Sequence, residues 1–378
     1  MEEKLELYVN TKKLIKALEF TTKVQKGKQT TEIYTFNKFK ASNDKIEIEA
    51  IEMYEAAKTS IKAQVNGTGE FIIDPKQLLM MIKNVDIDEI IITKEKEKNY
   101  IEIQSGWNIT NTPVGDIESY PNFPDINETE AEEIEFDTEE LKELIENTTF
   151  ACSNDEARPV FTGVQLDIAK AQIAASNTHM LAINSIKTNY KPENSKPIII
   201  PAKTLDKLIR TSIQDKTVKI NFNNTNLYIT FDNTTLVSRL INGTYPDVNR
   251  VIPKNSKIKC KINKKAFEKM LNRIRIFSDN DNNIIKIEIN NKEKTLILSA
   301  SSQKGSSKEA IKLEDLITDN EKENFKIAFN ANYITEITRR IKEDNMVMLL
   351  NTSVSPAIIA ENEYSNNKYI VTPLRMVQ

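Results

Sequence analysis

The sequence predicts an α+β protein of three similar domains, each with two helices and antiparallel sheets. Three recurrences predict it, and the first is a strand that runs into a capped amphipathic helix. It appears at 5–23, 133–153 and 257–279, with Asn10, Asp137 and Asn263 as the caps. Leu18, Ile145 and Leu271 occupy matching core-facing points, 127 and 126 residues apart. A period this long is a domain, because solenoid units repeat every ~20–50 residues.

The second recurrence is another helix in phase with the first. Asp74-Pro-Lys-Gln-Leu-Leu, Pro201-Ala-Lys-Thr-Leu-Asp and Asn330-Ala-Asn-Tyr-Ile-Thr each follow an apolar strand. Leu78, Leu205 and Ile334 are equivalent, at offsets of 127 and 129. Pro75 suits a first helical position, where the missing N–H would have no partner anyway. The third recurrence is a turn: Tyr120-Pro-Asn-Phe-Pro and Tyr245-Pro-Asp-Val close the first two copies, while the third reaches Thr372-Pro-Leu-Arg-Met without one. Between helices, Ile90-Ile-Ile-Thr, Tyr100-Ile-Glu-Ile-Gln, Val218-Lys-Ile-Asn-Phe, Leu227-Tyr-Ile-Thr-Phe, Ile285-Lys-Ile-Glu-Ile and Thr295-Leu-Ile-Leu-Ser alternate or run apolar over strand lengths. Their connections are too short for parallel crossovers, so the sheets are antiparallel. The expected domain bounds are 1–131, 132–256 and 257–378.

Composition excludes several function classes. With 378 residues, 39% hydrophobic and 28% charged, the chain has material for two or three cores. No stretch approaches a membrane span, and Met-Glu-Glu-Lys does not open a signal peptide, so a cytoplasmic protein is expected. Cys152 and Cys260 lack metal-ligand spacing and read as free thiols of a reducing compartment. One histidine, His179, eight glycines and no phosphate loop leave no catalytic constellation. Neither enzyme activity, cofactor nor metal is expected. Glu132, Glu133, Glu139 and Glu140 fall where helices begin, where the helix dipole favours them.

Charge placement is more telling than the net charge of −3. Asn10–Lys28 holds six lysines against Glu19, a local +5, and Asn263–Phe277 holds five cations against Glu268, a local +4. Lys265, Lys269 and Arg273 stack at i, i+4 and i+8, opposite Phe267, Met270, Leu271 and Ile274. Lys203, Lys207 and Arg210 form the same stripe opposite Leu205, Leu208 and Ile209. Lysine neutralises phosphate without reading bases, and no recognition-helix or zinc-finger signature is present. The residues point to sequence-independent binding of duplex DNA. The expected phosphate contacts are Lys12, Lys16, Lys26, Lys28, Lys203, Lys207, Arg210, Lys265, Lys269 and Arg273. The helix after Asp137 is instead acidic, with Glu139, Glu140, Glu143 and Glu146.

Four longer motifs follow in order: Phe150-Ala-Cys-Ser-Asn-Asp-Glu-Ala-Arg-Pro-Val-Phe-Thr-Gly-Val, Ser176-Asn-Thr-His-Met-Leu-Ala, Asn242-Gly-Thr-Tyr-Pro-Asp-Val-Asn-Arg-Val-Ile-Pro and Tyr369-Ile-Val-Thr-Pro-Leu-Arg-Met. By these the chain resembles the bacterial sliding clamps, the beta subunits of DNA polymerase III. The resemblance implies the DNA clamp fold, in which two chains close head to tail as a homodimer into a six-domain ring. Helices line the hole and sheets form the wall. It also implies a non-catalytic processivity factor that encircles double-stranded DNA. Such a ring tethers the polymerase catalytic subunit and the clamp loader through short linear peptides.

The partner pocket implied by the resemblance comprises Phe161, Ser176, Thr178, His179, Leu181, Pro246 and Arg250, with Val251, Pro356, Ile370, Thr372, Leu374 and Met376. That set is mostly apolar with a few polar atoms, as a peptide pocket requires. Ile276 and Phe277 follow the basic third-copy helix and precede a polar turn, which suits an interface between chains. Trp107 and Ile109 are the candidates for the facing strand. Lys28-Gln-Thr-Thr-Glu-Ile-Tyr lacks a proline common in the family, and Thr178-His-Met and Thr372 replace commoner residues. A second clamp or a mobile-element clamp serving a specialised polymerase stands as an alternative, as does a non-specific DNA-binding scaffold.

Overall fold

The computed structural model describes residues 4–25, 31–125, 132–188, 192, 195–278, 283–319 and 324–375. The first copy runs β1 (Lys4–Asn10), α1 (Thr11–Val24), β2 (Asn37–Ser42), β3 (Lys45–Ile51), β4 (Glu55–Lys62), β5 (Gln64–Asn66), β6 (Gly69–Ile73), α2 (Pro75–Ile82), β7 (Glu89–Glu95), β8 (Tyr100–Ser105) and β9 (Asn108–Pro113). The second runs β10 (Glu132–Asp137), α3 (Thr138–Thr149), β11 (Gly163–Asp167), β12 (Gln172–Ser176), β13 (Met180–Ser185), β14 (Ile198–Pro201), α4 (Ala202–Ile209), β15 (Thr217–Phe222), β16 (Asn226–Phe231) and β17 (Thr234–Arg239). The third runs β18 (Ile258–Asn263), α5 (Lys264–Ile274), β19 (Ile284–Asn290), β20 (Thr295–Ser302), β21 (Gly305–Lys312), β22 (Asp315–Thr318), β23 (Phe325–Asn330), α6 (Ala331–Arg340), β24 (Asn345–Leu350), β25 (Ala357–Ala360) and β26 (Lys368–Val371). Among the described residues the strand ladders are antiparallel. No helix among them is long and apolar enough to cross a membrane.

Each copy starts its first helix by the same chemistry. The side chain of Asn10 accepts from Lys13 N at 3.1 Å, Asp137 from Glu139 N and Glu140 N at 3.0 and 3.1 Å, and Asn263 from Ala266 N at 3.0 Å. Each bond satisfies an N–H that the helix cannot pair internally. Four and eight residues past each cap stand Leu14 and Leu18, Leu141 and Ile145, and Phe267 and Leu271, all buried. Asp74 caps α2 by accepting from Lys76 N at 2.8 Å, with Pro75 in the first turn as its fixed φ allows.

Contacts group the chain into two compact units. One is Met1–Lys142 with Asp206–Leu240, and the other is Glu143–Leu205 with Ile241–Gln378. The first unit holds a five-stranded sheet, β5-β1-β7-β8-β9, and an eight-stranded one, β10-β15-β16-β17-β4-β3-β2-β6. Its core packs Leu14 and Leu18 of α1 and Leu78 of α2 against Leu7, Phe39, Ile48 and Ile92, and Phe39 stacks on Phe71 at 5.1 Å. The second unit holds a nine-stranded sheet, β14-β11-β12-β13-β26-β25-β24-β18-β22, and a four-stranded one, β21-β20-β19-β23.

Two sheets are shared between copies. In the first unit β17 pairs with β4, and the Thr59 and Thr234 hydroxyls meet across the seam at 2.9 Å. In the second unit β26 pairs with β13, with Leu181 opposite Ile370. In order along each copy, β4 and β13 correspond to β21, and β17 and β26 correspond to β9. Yet β9 and β21 are edge strands of their sheets. The seams repeat in detail: Arg239 N donates to Tyr54 O at 2.8 Å, and Thr372 N donates to His179 O at 2.9 Å.

Candidate nucleic-acid and peptide interfaces

The basic stripes fall on exposed helix faces, with one exception. Lys12, Lys16, Lys203, Arg210, Lys265 and Lys269 are exposed. Several rest near carboxylates: Lys12 at 3.7 Å from Asp88, Lys203 at 3.4 Å from Glu156 and Lys265 at 3.6 Å from Asp344. Exposed pairs this long hold little energy and yield readily to a phosphate. Arg273 is held more firmly. Its Nε donates to both oxygens of Glu309 at 2.9 and 3.0 Å, and this bond holds the Glu309 carboxyl below the usual range.

Lys207 is the exception: its side chain is mostly covered and its ammonium rests on the carboxylate of Glu55. The helical stripe identified its direction along α4 but not a partner 152 residues away. Lys26 and Lys28 lie outside the described residues.

Three of the expected pocket residues, Phe161, Leu181 and Ile370, come together in the second unit. Leu181 and Ile370 are buried in a cluster with Ile183, Ile199, Tyr245 and Ile358, and Phe161 packs against it half-buried. The Phe161 and Tyr245 rings meet edge to face at 5.7 Å. The Tyr245 hydroxyl accepts from Ser176 N at 2.8 Å, and burial pushes its phenol pKa up. This bond ties the linker after β17 to the end of β12.

The turn between β12 and β13 forms the rim. Ser176 Oγ accepts from Thr178 N at 3.0 Å, and Asn177 Oδ1 accepts from His179 N and Met180 N at 3.0 and 2.8 Å. Thr178 sits at φ 77°, a left-handed conformation fixed by these bonds. Thr372 caps the turn from the other side, donating from N and Oγ1 to His179 O. Leu374 N continues the tail by donating to Ala328 O at 2.8 Å.

Thr178, His179, Pro246 and Arg250 are exposed, Val251 is 51% exposed, and Ser176, Pro356, Thr372 and Leu374 are half-buried. Arg250 pairs with Asp247 at 3.2 Å. Met376 lies outside the described residues. One neighbour of this turn was not among the sequence candidates. Tyr333, in the first turn of α6, lies parallel to the His179 imidazole, with centroids 6.2 Å apart. Its signal was an aromatic where the equivalent helices α2 and α4 carry Gln77 and Thr204.

The interface candidates sit near two of the edge strands, β9 and β21. Trp107 is fully exposed in the β8–β9 turn and Ile109 is 60% exposed on β9. Ile276 is 61% exposed in the 3₁₀ turn Arg275–Phe277, and the Phe277 ring lies beside Gly305, the first residue of β21. Among the described residues no group of His, Cys, Asp or Glu is placed to hold a metal ion.

Three copies joined through two shared sheets define the three-domain clamp fold. The chain belongs to the DNA polymerase III beta subunit family. Profiles of its N-terminal, central and C-terminal domains match residues 5–124, 135–247 and 249–375. The beta sliding clamp of Staphylococcus epidermidis is 27% identical over 98% of this chain and 99% of its own. That of Bacillus subtilis is 25% identical over 96% and 97%. Among solved structures, the Bacillus subtilis DNA polymerase sliding clamp superposes with a TM-score of 0.92 at 22% identity, covering 99% of this chain and 100% of its own. The DNA polymerase III beta chain of Streptococcus pneumoniae gives 0.90 at 21%, covering 98% and 100%.

Proposed function

We propose that this chain is a non-catalytic processivity clamp: a homodimeric ring that encircles duplex DNA and tethers replication proteins to it. The observation that carries ring closure is that β9 and β21 stand at sheet edges where their counterparts in the other copies are paired. Wherever the last strand of a copy can meet the fourth strand of its neighbour within the chain, it does so, as β17–β4 and β26–β13. Only β9 and β21 are left, and head-to-tail pairing of β9 with β21 of a second chain repeats the same seam. Joining the five-stranded sheet to the four-stranded one makes nine strands, against eight and nine in the shared sheets. Two such joints close a two-fold ring and cover the β9 and β21 edges, which would otherwise be open to pairing with other chains.

The three domains span 1–131, 132–256 and 257–378, with bounds close to those of the family profiles. The six helices line the hole, where Lys12, Lys16, Lys203, Arg210, Lys265 and Lys269 touch phosphates weakly. Lys207 serves the α4–β4 contact instead. Polymerase and clamp-loader subunits dock short peptides on the His179 and Tyr333 rim above the Leu181 and Ile370 floor, and the protein works in the cytoplasm. Sedimentation equilibrium tests the assembly: a mass near twice 43.2 kDa at micromolar concentration is expected. A monomer at that concentration contradicts the reading.

A further inference from the structure

We propose that α3 repels the duplex, so that DNA rides against α1 and α5 and slides through an unevenly charged hole. This rests on the ring reading above. Counting from the shared N-caps puts the three helices in register. Two residues past Asn10, Asp137 and Asn263 stand Lys12, Glu139 and Lys265, and six residues past stand Lys16, Glu143 and Lys269. The middle copy reverses the charge at both positions.

The reversed side chains face outward as their counterparts do. Those of Lys12, Glu139 and Lys265 are 82%, 83% and 79% exposed. Lys16, Glu143 and Lys269 are exposed too. Residues four and eight past each cap are buried in all three helices, so the rotational phase is the same. Packing does not require the reversal, because either sign is tolerated at exposed positions. Helix formation does not require it either: α1 and α5 form with no acidic residue in the first turn.

The sums are opposite. α1 and α5 each carry four cations against one glutamate, and α3 carries four glutamates against Lys142. Glu139 lies 3.1 Å from Lys142 and Glu143 lies 2.6 Å from Lys342, but exposed pairs neutralise incompletely. Salt screens over about 8 Å at physiological ionic strength, so a phosphate feels the nearest helix rather than the average of the hole. Because β9 of one chain meets β21 of the other, first and third copies are neighbours across each joint. The basic α1 and α5 therefore flank the two joints and the acidic α3 lies between them, leaving Lys203 and Arg210 at α4 as the cations of the middle copy.

The test is E139K/E143K, which gives α3 the lysines that α1 and α5 already tolerate. E133K/E135K, at exposed positions of β10 in the same copy, matches the charge change. Fluorescence anisotropy with labelled linear duplex at several salt concentrations is the readout. E139K/E143K is expected to bind about tenfold tighter at low salt, with a salt slope steeper by about 2, as two added phosphate contacts at ~0.9 each require. The control should shift affinity by less than about twofold, since its charges lie away from the duplex. Should E139K/E143K lose its thermal transition, E139Q/E143Q replaces it and should show about half the change. A hole variant indistinguishable from the control overturns the inference. Retention of the wild-type ring on closed circular duplex is measured alongside. If the ring is retained, a failure falls on the charge asymmetry alone; if it is not, the ring reading and this inference fall together.

Discussion

Replacing Trp107 and Ile276 with alanine is expected to convert the dimer to monomers while leaving the folded chain unharmed. Both side chains are exposed in the single chain, Trp107 completely, so truncation removes almost nothing from its own core. In the proposed ring each is covered by the partner chain. Burying a side chain of this size is worth roughly 1.5–3 kcal/mol, so one joint loses about 4 kcal/mol. Two joints close the ring together, so dimerisation loses about 8 kcal/mol, roughly a millionfold in the constant. Phe277 is left in place because its ring already packs beside Gly305 within the chain. Sedimentation velocity should show monomers with an unchanged thermal transition. A dimer constant within tenfold of wild type would place the joint elsewhere.

Removing residues 372–378 is expected to abolish binding of a partner peptide and to leave the dimer intact. Thr372 makes two hydrogen bonds to His179 O, and Leu374 pairs with Ala328, so the tail holds the rim turn in place. A peptide that buries two apolar side chains gains roughly 3–6 kcal/mol before ordering costs, giving affinity near micromolar. Losing one wall of so small a site leaves no measurable binding. His179→Ala with Tyr333→Ala tests the same rim without truncation, because it removes the stacked pair and leaves the Leu181 floor. Calorimetry should show at least tenfold weaker binding for that variant. Full-strength binding by the truncated chain would contradict the site.

Helices and strands were legible because their signals are local. Asn10, Asp137 and Asn263 each sit three residues or fewer from the N–H they accept, and the buried stripe follows within two turns. The resemblance implied that sheet edges pair across domain boundaries, but which strands meet was not legible, because period-two alternation says that a segment is a strand and names no partner. Thr59 and Thr234 meet across 175 residues. The ion pair of Lys207 was not legible for the same reason: a helical stripe gives a direction, and Glu55 arrives from a distant strand. The neighbourhood of Leu181, Phe161 and Ile370 was implied by the resemblance, but Tyr333 was not, since it reaches His179 from α6, outside those motifs. Trp107 was a candidate for the facing strand in sequence, and the structure adds that it stands fully exposed beside the edge strand β9.

The central claim is that the chain holds DNA by topology rather than affinity. The most direct measurement loads the ring onto nicked circular duplex, washes at high salt, and then cuts half the sample once with a restriction enzyme. Weak phosphate contacts are lost steeply as salt rises, so only enclosure can resist the wash. Protein is expected to stay on the intact circles and to run off the cut ones. Equal loss from both, or equal retention on both, would contradict the account.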